Sequence, residues 1–131
     1  MILIWLLVTT LFQEPQFDQY PASDCPEFEE VKELKTDSLS QRMKEAASYQ
    51  WKEADLTFAC RYFIVQGGCG TGCQMNIIFD KQSGEEVASF ITSYGSEFRV
   101  DSKLIILPAD PSYDRKTEYL VFEENELHSV K

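Results

Sequence analysis

The sequence predicts an α+β domain: one or two N-terminal helices packed on an antiparallel β-meander of about five or six strands. Three observations predict it. Between about Ser38 and Tyr49, the apolar residues Leu39, Met43, Ala46 and Ala47 recur at helical spacing. From Leu56 onward, apolar residues alternate with a period of two between turn-forming segments. Strands do not alternate with helices, and short connections favour antiparallel neighbours over parallel crossovers.

The elements follow in chain order. Ser38 and Gln41 have capping-box spacing, which starts the helix near Ser38. A shorter helical turn is expected from Glu27 to Lys35. "LTFACRYFIVQ" reads as a strand with Phe58, Cys60, Tyr62 and Ile64 on one face, and "MNIIFD" as the next. "DKQSGEE" is a hairpin loop in which Gly84 takes a left-handed backbone. "EVASFITSY" runs to a turn at Gly95, and "EFRVDSKLIILP" supplies one or two strands. "ADPSYDRK" is a polar loop. "TEYLVFEENELHSV" forms two strands about a Glu124–Asn125 turn.

At 131 residues the chain is expected to hold one domain. Residues 1–13, "MILIWLLVTTLFQ", carry an uncharged apolar run, shorter than the roughly 20 residues of a bilayer span. It fits a signal-peptide core of about 7–15 residues, although no Lys or Arg precedes it. A buried N-terminal strand is the competing reading. No cysteine follows in lipobox position, so no stable membrane anchor is expected after processing. Residues 14–26 contain Pro15, Pro21 and Pro26 and read as a linker arm; residues 27–131 form the domain.

The formal net charge is −10, from 22 acidic and 12 basic residues. A surface this negative argues against nucleic acid and anionic lipid as partners. It suits a basic protein partner, a divalent ion or solubility alone. Cys25, Cys60, Cys69 and Cys73 are an even set behind a secretion signal, which implies disulfides in a periplasmic or secreted protein. Four cysteines allow three pairings.

The segment "GGCGTGCQ", residues 67–74, is the most unusual in the chain. A phosphate cradle fits poorly, because no Lys or Ser/Thr completes the pattern and a strand follows. A redox pair normally uses Cys-x-x-Cys at a helix N-terminus, whereas three residues intervene here. Structural zinc uses two close cysteine pairs, and Cys25 and Cys60 lie far apart. A staple fits best. A Cys69–Cys73 bridge needs a sharp reversal, which Gly70 and Gly72 permit, and Cys25–Cys60 is then the remaining pair. The expected contact surface is the loop Gly68, Cys69, Gly70, Thr71, Gly72, Cys73 and Gln74.

"LTFACRYFIVQGGCGTGCQMNIIFDKQSGEEV" resembles a group of small exported bacterial proteins of unknown activity. These carry an Asn-Phe-Ala-Gly-x-Tyr strand, a Cys-Gly-Thr-Gly-Cys-Gln loop and an Asp-x-x-x-Gly hairpin. "FRVDSKLIILP" and "TEYLVFEENELHSV" are similar to their later segments, so the likeness covers roughly residues 40–131. The resemblance implies an exported location and this architecture. Cys60 stands where that group usually has Gly, which implies that Cys60–Cys25 is particular to this chain and Cys69–Cys73 is shared. A weaker similarity is to periplasmic inhibitors of vertebrate lysozyme, which plug the enzyme cleft with a Cys-flanked loop. Here the intervening Gly-Thr-Gly lacks the His of such loops.

No catalytic constellation stands out. His128 is three residues from the end and reads as a surface residue. Asp101–Ser102 reads as a turn that starts a strand. Asp110, Asp114 and Glu118 do not match an EF-hand loop. Tyr62, Tyr94 and Tyr113 read more simply as partly buried sheet residues than as a contact surface. The expectation is an exported, disulfide-stapled binding module, more readily non-catalytic than an enzyme, with no cofactor and no metal ligand. The alternatives are an inhibitor or immunity-type protein against a cell-wall hydrolase, and a thiol-redox or metal-binding protein.

Overall fold

The computed structural model describes residues 14–22, 25, 27–51 and 56–130. The expected signal peptide, residues 1–13, lies outside the described residues, as do Pro26 and two others of the linker arm. The fold is α+β, with one α-helix and antiparallel strands in two sheets of four and three. The first sheet comprises β1 (Thr57–Phe58), β2 (Tyr62–Gly70), β3 (Cys73–Asp80) and β4 (Glu86–Thr92), paired in chain order. The second comprises β5 (Leu104–Leu107), β6 (Glu118–Glu123) and β7 (Glu126–Val130), again in chain order. The meander is thus split: residues 93–103 carry the chain from one sheet to the other.

Alternation along β2 and β3 makes the first sheet apolar on both faces. Phe63, Val65, Ile77 and Phe79 face helix α1 (Gln41–Gln50), packing with Met43, Ala47, Leu39 and Trp51. Ile64, Ile78 and Phe90 face the second sheet, where they meet Ile105, Leu107 and Phe122. The layers therefore run helix, four-stranded sheet, three-stranded sheet. Phe58 is fully buried between the sheets, with the Phe98 and Phe122 ring centroids each 6.0 Å away.

Helix α1 starts later than the Ser38 box implies. Ser40 is the N-cap, accepting from the Met43 N–H at 3.3 Å, because this register turns Met43 and Ala47 onto the sheet. Gln50 then binds the β2 backbone at both ends of its amide, donating to the Gln66 carbonyl and accepting the Gln66 N–H. Residues 27–35 do not form the expected helical turn. Their backbone bonds go to a distant hairpin: the Val31 N–H donates to the Lys81 carbonyl and the Lys35 N–H to the Gly84 carbonyl.

The expected strand through Cys60 is also corrected. The chain reverses at residues 59–61, and Ala59 and Cys60 take positive φ of 48° and 66°. Their N–H groups donate to the carbonyls of Arg99 and Val100. Phe58, Tyr62 and Ile64 still face the inter-sheet core, but Cys60 sits in the turn. There it bonds Cys25, with Cα atoms 5.2 Å apart. The Glu124–Asn125 turn forms as expected, with positive φ at both residues, the type I′ signature.

Candidate functional site

The glycine–cysteine segment is the tip of the β2–β3 hairpin. Register runs from Tyr62 opposite Asp80 to Gly68 opposite Gln74; then Cys69 is bulged out and Gly70 faces Cys73. Thr71 and Gly72 alone make the turn. Cys69 and Cys73 are bonded across it, with Cα atoms 5.1 Å apart. All four cysteines are paired, so no thiolate is left to ligate a metal. Gly70 and Gly72 adopt φ of 125° and 66°, conformations that favour glycine.

The predicted contact residues divide by exposure. Gly68, Cys69, Gly70 and Thr71 are exposed, whereas Gly72, Cys73 and Gln74 are half-buried. The Gln74 side chain turns inward: its carbonyl oxygen accepts from the Gly95 N–H and from the Thr92 hydroxyl. Beside it, Ser96 links Gln66 and Asn76, and the fully buried Asn76 amide donates to the Phe90 carbonyl at 3.4 Å. This polar network braces the hairpin just below its tip, from between the sheets.

One aromatic ring sits on the tip, and a second braces the loop that carries it. A Cβ added to Gly72 would lie 2.2 Å from Cζ of Tyr113, so the ring sits directly on that glycine. Tyr113 is held by a closed loop. Asp110 and Arg115 exchange backbone hydrogen bonds at 2.9 and 3.0 Å, and the Asp110 carboxylate accepts from the Ser112 N–H. Tyr94 donates its hydroxyl to the carbonyl of Ala109, at the start of the same loop. Tyr94 is 57% exposed and Tyr113 46%. Neither lies in a strand, which corrects the reading of them as partly buried sheet residues. Tyr62 does fit that reading, packed edge-on to Phe122. The turn former Gly95, next to Tyr94, and the "PSYD" segment around Tyr113 were the signals that both tyrosines lie in loops.

The shifted ionisable groups lie elsewhere. Asp80 is buried, which alone raises its pKa. The hydrogen bonds from Arg61, followed by that from the Gln82 N–H, outweigh burial and hold the carboxyl below its usual range. Burial raises the phenol of Tyr62, partly offset by Arg61. His128 is exposed, 3.8 Å from Glu126. Among the described residues, no three His, Cys, Asp or Glu side chains converge as a metal site, and no helix is long and apolar enough to cross a membrane.

This geometry defines a disulfide-stabilised α+β protein with a covalently braced hairpin tip. Comparison with protein-family models, curated proteins and solved structures finds no match to the chain.

Proposed function

We propose that this chain is an exported, non-catalytic binding module whose contact surface is the stapled β2–β3 tip with Tyr113 and Tyr94. The observation that carries this reading is the Tyr113 ring seated on Gly72 at a tip braced by the Cys69–Cys73 bond. Such a surface presents backbone and aromatic faces in one shape, so little ordering opposes association. Two disulfides in one small chain support an oxidising compartment, periplasmic or secreted. The positive φ at Cys60 is a conformation glycine adopts freely, which supports the resemblance to proteins carrying Gly at that position. The net charge favours a basic partner, and a cell-wall hydrolase to be inhibited is one such class.

The test is affinity capture from cell-envelope extract with three baits: wild type, Gly70→Ala plus Gly72→Ala, and Gly68→Ala. Circular dichroism first establishes that each bait is folded. A partner retained by wild type and Gly68→Ala, yet lost by the double variant, is the expected result. Equal retention by all three would remove the tip from consideration. Mass spectrometry of the intact exported protein should find no free thiol; a reduced Cys69–Cys73 pair would favour the thiol-redox alternative.

A further inference from the structure

We propose that the outer edge of β4 is a strand-addition site for an extended, Lys- or Arg-bearing segment of a partner protein. Among the described residues, β4 is the last strand of its sheet and pairs only with β3. Among the described residues, no turn or loop backbone bonds to Glu86–Thr92. Sheet edges left in this state are templates for another chain, and proteins usually blunt them with charge, proline, a bulge or a covering segment. The other edges here are blunted. β1 is two residues long and is followed by Ala59 and Cys60, which bond to Arg99 and Val100. β5 is covered by Glu97, which exchanges two backbone bonds with Ile106. β7 carries Glu126 and His128. β4 has a bulge only near Glu86; from Ala88 to Thr92 its register is unbroken and it carries no charge or proline.

The occupant follows from the surroundings. A groove of about 480 Å³ lies beside the first half of β4, walled by Lys35, Asp37, Ser38 and residues 85–89. Among the described residues its only cation is Lys35, which already meets Glu85 at 3.4 Å, and no ion pair joins Asp37 or Glu86. At the far end Ile91 is 49% exposed, a contact for an apolar side chain. An alternating basic and apolar strand of about seven residues, about 23 Å long, matches this edge. A second copy of this chain matches it poorly, because each copy carries −10. The edge site does not require the hairpin tip to bind anything.

The experiment uses the intact, oxidised protein with three synthetic seven-residue peptides. One alternates Lys and Val, one alternates Glu and Val, and the third is the Lys–Val peptide with its central Val replaced by Pro. Amide exchange and chemical shifts are followed by NMR. The Lys–Val peptide should slow exchange along β4, and neither of the others should. Ile91→Lys should weaken that binding at least tenfold, or about 1.4 kcal/mol. The tip variant Gly70→Ala plus Gly72→Ala should bind the peptide as wild type does, which keeps the two surfaces separable. Equal effects from the proline peptide, protection outside β4, or no protection would each overturn the proposal. So would concentration-dependent protection of β4 without peptide, which would indicate self-pairing.

Discussion

Three glycines of the hairpin tip look alike in sequence but answer to different physics. Gly72 combines a left-handed φ with a ring lying on it. Gly72→Ala should therefore cost about 1–2 kcal/mol of backbone strain and also push Tyr113 away, visible as a shift in its ring resonances. Gly70→Ala meets no atom within 4 Å, so it should bring strain without moving Tyr113. Gly68→Ala has neither problem and should stay within about 0.5 kcal/mol of wild type in denaturant melts. If Gly72→Ala matched Gly68→Ala, the packing of Tyr113 on the tip would be wrong. Asp80 carries the residue-scale pH dependence. Its folded pKa is depressed, so its contribution is present above the unfolded value of about 3.9 and is lost as pH falls through the folded value. Asp80→Asn should cost about 1–3 kcal/mol at neutral pH. The gap should close in melts carried progressively below about pH 4; a gap that stayed constant would mean Asp80 is not held ionised by Arg61.

The two disulfides act on elements in different ways. Cys69–Cys73 joins residues four apart, whereas Cys25–Cys60 joins residues 35 apart. Chain entropy alone makes them worth about 2 and about 4 kcal/mol respectively. Replacing each pair by Ser should thus lower the melting temperature more for Cys25/Cys60, while the tip pair should matter more for partner capture. The reverse order would mean that the short bridge shapes the whole fold and not the tip alone. The elements themselves were legible to unequal degrees. β2, β3, β6 and β7 follow from period-two patterning and from Gly or Asn at their turns. The reversal at Ala59–Cys60 is hidden because no glycine marks it; bonds from its N–H groups to the distant carbonyls of Arg99 and Val100 hold its left-handed backbone. The Glu27–Lys35 segment reads as helical because its acidic run looks like a helix face, yet the Val31 and Lys35 N–H groups find partners in the β3–β4 turn. The braced tip was visible in "CGTGC". Tyr113 and Tyr94 joined it only through a fold that returns residues 94 and 108–114 to the same end.

At the scale of the whole molecule, Ser102 is the point where three parts of the chain meet. It is 1% exposed, and its oxygen lies 2.9 Å from the Phe17 carbonyl and 2.8 Å from that of Tyr20. It also accepts from the Leu104 N–H at 3.1 Å, which starts β5. Around it the Ala22 N–H donates to the Asp101 carbonyl and the Lys103 N–H to the Tyr20 carbonyl. The expected "DS" turn is thus also the latch for the N-terminal arm, which the Cys25–Cys60 bond fastens a second time. Ser102→Ala would take an acceptor from the Leu104 N–H and one donor from the Phe17 and Tyr20 carbonyls, which keep the Tyr20 and Lys103 N–H groups, at about 1–3 kcal/mol. Because the disulfide persists, the arm should loosen without being lost. Hydrogen exchange should quicken at Ala22 and Lys103, while Ile77 and Ile78, buried in the first sheet, change only by the global loss of stability. Uniform acceleration at all four amides would mean that arm and core open as one unit, and Ser102 would then belong to the fold's cooperative centre and not to a latch on its margin.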